Sequence, residues 1–233
     1  MSSAGYCLTI ATAPDVTVVP LLDPLTPPAN YTKPDTIAKW LAEAERDRLA
    51  DLALHPATCL ITAISWIPAV GQPTMGPTVH LCRNYQEERA ALQALIALSP
   101  GDGAVPFMSY MGLRFVWPTL MFRARFHTLE LTIATNRFRG PHIDLNDRIH
   151  DFGAFASKSM AFYTKRLGWP ELIGPLTGLE RALAPEKGQW EELAESVGRD
   201  VEAIRRLGVW NRYIDAESVE LSDSFQEDDR SFT

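Results

Sequence analysis

The stretch YCLTIATAPD, residues 6–15, runs through eight apolar, aromatic or β-branched residues before Pro14 stops it. A run of this kind without strict polar alternation reads as a strand over 6–12 that is buried on both faces. The Pro-rich segment from Pro14 to Pro34 forbids regular structure and reads as a long loop. Pro34 then sits in the first turn of an amphipathic helix, with Ile37, Trp40, Leu41, Ala44, Leu49 and Leu52 on one face as far as Leu54. CLITAISWI (59–67) and TVHLCRNY (78–85) predict two strands joined by a Gly- and Pro-containing loop, an antiparallel hairpin following the first strand.

EERAALQALIAL (87–98) predicts a helix, VPFMSY (105–110) another buried strand, and Trp117–His127 a helix that accommodates Pro118 in its first turn. PHIDL (141–145) is a short strand. Helical periodicity returns at 157–167, 176–184 and 189–213, broken by Gly168-Trp169-Pro170 and by Pro185. Strands early, crossover helices in the middle and helices at the end predict an α/β fold, a mixed sheet flanked by helices with a helical C-terminal half. One domain over 1–214 is expected, followed by an acidic tail over 215–233.

At 233 residues, with 46% apolar and 22% charged residues, the chain is long enough to hide roughly 70% of its unfolded surface. No run of about 18 apolar residues spans a bilayer, and no membrane partner is expected. The N-terminus lacks basic residues ahead of its apolar stretch, so a cytoplasmic location is expected. Cys7, Cys59 and Cys82 lie inside apolar runs without CxxC spacing, which predicts buried free thiols rather than a zinc site or disulfides. The net charge of -7 is unevenly placed: the tail from Asp215 carries seven acids against Arg230, leaving the body near neutral. Between Arg114 and Arg148 the balance is basic.

The segments YCLTIATAPD, SYMGLRFVWPTLMFRARFH (109–127), PHIDLND (141–147) and ELAESVGRDVEAIRRL (192–207), taken in this order, resemble the DEDD superfamily of 3'-5' exonucleases. The nearest group is the exonucleases related to family B polymerase proofreading domains, common in bacteria and their phages. The resemblance implies a ribonuclease H-like fold over residues 6 to about 214. It also implies four carboxylates holding two metals, from an Asp-x-Glu pair, a motif Asn-Gly-x-x-Phe-Asp-x-Pro and a late Tyr-x-x-x-Asp. On this chain those positions carry Thr9 and Ala11, Met111 and Val116, and Ser196 and Asp200. Only Asp200 remains as a catalytic remnant.

Two magnesium ions about 4 Å apart require several carboxylates to offset their charge and supply hard oxygen ligands, which Asp200 alone does not provide. No cofactor is therefore expected and activity by the family mechanism is expected to be negligible. The rival reading is an active 3'-5' exonuclease using Mg or Mn, its ligands rebuilt from Asp144, Asp147, Asp200 and the loop acids Asp15 and Asp23. His142 and His150 are further candidates, against the plainer reading of hydrogen-bonded histidines. Arg114, Arg123, Arg125, Arg137 and Arg139, interleaved with Phe115, Phe122, Phe126 and Phe138, suit single-stranded nucleic acid, with guanidinium groups on phosphates and aromatics under bases. The plainer reading makes those aromatics a core face. The expected partners are single-stranded DNA or a protein of replication, repair or defence. A third reading is a structural subunit docking through a sheet edge or the Pro-rich loop.

Overall fold

The computed structural model describes residues 5–70, 76–99, 105–133, 136, 138 and 140–214. Five strands form one mixed sheet: β1 (Tyr6–Pro14), β2 (Cys59–Pro68), β3 (Thr78–Leu81), β4 (Phe107–Ser109) and β5 (Ile143–Asp144), in the order β3-β2-β1-β4-β5. β1 and β2 pair antiparallel, with Cys7 opposite Ile67 and Thr9 opposite Ser65, and β2 and β3 pair antiparallel with Ser65 opposite Val79. β4 then joins β1 in parallel and β5 joins β4 in parallel. Parallel neighbours need crossovers, and the helices between these strands supply them.

The helices are α1 (Pro34–Ala53), α2 (Tyr85–Leu98), α3 (Trp117–Phe126), α4 (Leu145–Ile149), α5 (Met160–Arg166), α6 (Gly178–Leu183) and α7 (Trp190–Trp210). None of the described helices is long and apolar enough to cross a membrane.

β1 is buried along nearly its whole length because both faces are covered. Leu8 and Ile10 point into a layer with Ile64 of β2, Leu92 and Leu95 of α2, and Trp117 and Leu120 of α3. Cys7 points the other way, joining Ile67 and Met108 against Val201, Ile204 and Leu207 of α7, while Ala11 meets Leu193 and Val197 of the same helix. Each fully buried Leu, Ile or Val contributes about 2 kcal/mol of transfer free energy, so α7 is the main clamp on that face. Its Gly208 lets it approach closely: a Cβ there would fall 2.5 Å from Met108 Sδ.

Three elements depart from the expected boundaries for one shared reason, side-chain capping. The segment expected to be irregular contains a 3-10 turn at Val16–Leu21, because the Asp15 carboxylate accepts from the Thr17 amide at 3.0 Å and its hydroxyl at 2.6 Å. β3 stops at Leu81 rather than 85, since Asn84 Oδ1 accepts from the amides of Gln86 and Glu87 and starts α2. β5 is only two residues long because Asp144 Oδ1 accepts from the Asn146 amide and starts α4. The acidic segment 215–233, Arg137 and Arg139 lie outside the described residues.

Candidate functional site

Asp200 lies in the middle of α7, turned toward α6. Arg181 of α6 donates from Nη1 to Asp200 Oδ2 at 2.5 Å and from Nη2 to the Leu176 carbonyl at 3.1 Å. Burial pushes the Asp200 carboxyl above its ordinary range, and the guanidinium pulls it part of the way back. The pair lines a cavity of about 310 Å³ that Thr164, Thr177 and Ile173 also border. The partner of Asp200 is thus Arg181, while Arg114 Nη2 lies 3.7 Å from Asp147 Oδ1.

Of the other positions implied by the resemblance, Ala11 and Ser196 border Leu176, whose carbonyl accepts from Arg181, whereas Val116 does not. Thr9 and Ala11 are buried in β1, Ala11 packing on the α7 side of the sheet. Val116 belongs to the opposite layer with Trp117 and Leu120. Ser196 is fully buried, and its Oγ accepts from the Leu176 amide at 3.0 Å. Met111 is 40% exposed and adopts a left-handed conformation, φ 58°.

Asp144 ends β5 and Asp147 follows it in α4. Asp144 Oδ1 accepts from the Met111 amide and Oδ2 from the Leu113 amide, both at 3.0 Å, so this carboxylate ties the turn Gly112–Val116 to the start of α4. Burial raises its proton affinity, and the backbone donors work against that rise. His150 Nδ1 lies 2.7 Å from the Asn146 carbonyl, and its Nε2 accepts from the Lys158 amide at 3.0 Å and contacts Tyr163 Oη at 2.9 Å. These contacts make His150 a brace between α4 and α5. His142 accepts from the Phe107 amide through Nδ1 at 3.2 Å and packs on Trp117 with ring centroids 4.7 Å apart.

The described residues do not assemble a ligand set for a pair of divalent metals. Among the described residues no three His, Cys, Asp or Glu side chains come together as a ligand group. Asp200 already faces a guanidinium, and both oxygens of Asp144 are filled by backbone donors. Asp15 caps its own turn, and Asp23 is exposed in the Pro-rich segment, where its carbonyl accepts from Arg48.

The expected basic face is thinner than the sequence implied. Arg125 is exposed and Arg114 half-exposed, but Arg123 points inward: its Nε and Nη2 each donate to Glu88 at 2.6 Å, in a pair almost wholly excluded from water. Arg123 is thus a core residue rather than a phosphate contact, held where α2 crosses α3. Phe122, Phe126 and Phe138 are all exposed, and Phe115 is half-buried. Sequence reasoning passed over Arg181 and Phe152. Arg181 leaves no local signal beyond the rule that a buried acid needs a cation, and Phe152 depends on a backbone turn that periodicity does not reveal. No protein-family model matches the chain, and no curated protein matches it significantly.

Proposed function

We propose that this chain is a ribonuclease H-like, exonuclease-type protein that binds single-stranded nucleic acid and has lost the metal-dependent cleavage its resemblance implies. The strand order supports the fold part: an antiparallel meander of three strands, extended by two parallel strands through helical crossovers, with a long C-terminal helix across one face.

The observation that carries the functional part is the Arg181–Asp200 pair. A carboxylate that once helped to hold +4 of metal charge now faces a fixed +1 from its own chain, and the remaining family positions are Thr9, Ala11 and Val116. A guanidinium satisfies a buried acid without any ligand geometry around it, so the fold keeps its charge balance while the hydrolytic chemistry goes. What survives is an α/β scaffold with exposed phenylalanines and arginines, suited to bases and phosphates.

The test is degradation of 5'-labelled single-stranded DNA with Mg²⁺ or Mn²⁺, with binding of the same oligonucleotide followed at low salt. Binding that weakens with salt, without shortening, is expected. Stepwise 3' shortening abolished by EDTA overturns the loss of cleavage; absence of both activities overturns the nucleic-acid reading and points to a protein partner.

A further inference from the structure

Beyond the carboxyl ends of β4 and β5, where ligands of open α/β sheets collect, three side chains cluster, the two rings tilted by 38° to each other. Arg148 of α4 holds its Cζ 5.0 Å over the ring of Phe152, and Phe152 lies with its centroid 5.0 Å from that of Phe138. Phe138 is 68% exposed, an unusual position for a phenylalanine whose ring is already part of an ordered stack. In the sequence it stands between Arg137 and Arg139.

The backbone beneath this stack is strained. Asp151, Phe152 and Gly153 take successive positive φ values of 46°, 55° and 102°. A bulky aromatic seldom adopts the left-handed region, and glycine or asparagine meets the same turn more easily. The turn is held because the His150 carbonyl accepts from the amides of both Gly153, at 3.0 Å, and Phe155, at 3.2 Å. Strain retained at an aromatic points to a use for its side chain. A second cation reaches the same turn: a Cβ on Gly153 would lie 3.8 Å from Arg114 Nη2, and the Arg114 side chain is half-exposed. Among the described residues the acids nearby include Asp144, whose carboxylate accepts from the Leu113 amide, Asp147, buried against Arg114, and the exposed Asp151.

We infer that Phe138, backed by Phe152 and Arg148, is a base-stacking platform for single-stranded nucleic acid, with Arg114 meeting a backbone phosphate. This rests on the nucleic-acid reading and gives it a place. An exposed aromatic ring presents a flat surface to any base, so the platform is tolerant of sequence, and a ring face makes no hydrogen bond to a 2'-hydroxyl. The α3 surface is the weaker contender. Phe126 has Arg123 4.4 Å from its ring, but that guanidinium is bound to Glu88 and closed to phosphate.

The experiment is fluorescence anisotropy of a labelled thymidine dodecamer at low salt against the full chain and the variants Phe138→Ala, Phe138→Trp and Phe126→Ala. Phe138→Ala is expected to weaken binding about tenfold, the loss of one base stack, with its melting temperature unchanged because the ring is exposed. Phe138→Trp is expected to bind at least as well and to lose tryptophan emission as oligonucleotide is added. A uridine dodecamer is expected to bind comparably. Wild-type binding that Phe138→Ala leaves intact and Phe126→Ala abolishes overturns the platform while the nucleic-acid reading stands. Absence of wild-type binding overturns both.

Discussion

Arg181 Nη1 stands 2.5 Å from Asp200 Oδ2, joining α6 to the centre of α7 through a pair largely removed from solvent. Neither partner is replaceable alone, because the survivor keeps its charge and loses its compensation. Arg181→Met is predicted to cost about 3 kcal/mol at neutral pH, measured by urea unfolding. The sign of its pH dependence follows from Asp200, whose folded-state proton affinity is raised above the unfolded value. A raised carboxyl favours the folded state at low pH and loses that contribution as pH rises through its folded pKa. Removing Arg181 raises the carboxyl further, so the deficit is predicted to shrink as the pH is lowered from 7 toward 5. Adding Asp200→Asn to Arg181→Met should recover part of the loss. An Arg181→Met protein as stable as wild type at pH 7 sinks this account.

A second buried pair ties α2 to α3. Glu88 accepts two parallel bonds from Arg123 and a third from the Ile61 amide of β2 at 3.3 Å, while His127 Nε2 lies 3.1 Å from Glu88 Oε2. Arg123→Met strands the carboxylate and is predicted to lower stability by about 4 kcal/mol. Arg123→Lys should restore little, since an ammonium does not reproduce the planar fork. Oligonucleotide affinity of the folded fraction is expected to be unchanged in both. A large affinity loss in folded Arg123→Lys protein would return Arg123 to the binding surface.

Much of the fold was legible because its signals are local. The unbroken run 6–12, the apolar spacing of Ile37 through Leu52 and the repeat from Leu193 to Leu207 each specify an element without knowledge of its neighbours. Strand ends were less legible, since Asn84 and Asp144 end β3 and β5 by capping the next helix, and a cap competes with one or two further ladder bonds on nearly equal terms. The site was legible only as a set of absences. Which cation answers Asp200 depends on a contact across 19 residues between two helices, and Arg123 looked like a surface cation until Glu88 was placed opposite it. Charge patterning along the chain does not say which side of a helix faces water; packing decides that. The stack of Arg148, Phe152 and Phe138 depends on a left-handed turn at 151–153 that no residue type there announces except Gly153.

His142 gives the protein an acid-sensitive element. Its ring is buried against Trp117 and Phe107, and burial lowers its pKa from 6.5 to about 4. A depressed histidine contributes stability in full above the unfolded value and loses it as the pH falls from about 6.5 to about 4, because the unfolded chain takes the proton first. The difference corresponds to roughly 3 kcal/mol over that window. His142→Gln is predicted to flatten this part of the stability profile, measured by urea unfolding at several pH values between 7 and 4. An unchanged acid limb would mean that other groups set it.

The three thiols test the covering of the sheet directly. Cys7 is sealed beneath α7, Cys59 begins β2, and Cys82 follows β3 at the sheet edge; all three are free and buried. Burial pushes Cys7 up strongly, Cys59 to about 11 and Cys82 to about 12, so at pH 8 the thiolate that reacts is scarce as well as covered. Native protein is predicted to react slowly with a disulfide reagent at pH 8 and to titrate all three thiols at once in denaturant. If one thiol reacts ahead of global unfolding, Cys82 is expected to be the one, because β3 pairs with a single neighbour and opens at lower cost than β1 or β2. A fast Cys7 instead would mean that α7 lifts from the sheet in the native state, taking Asp200 away from Arg181 with it.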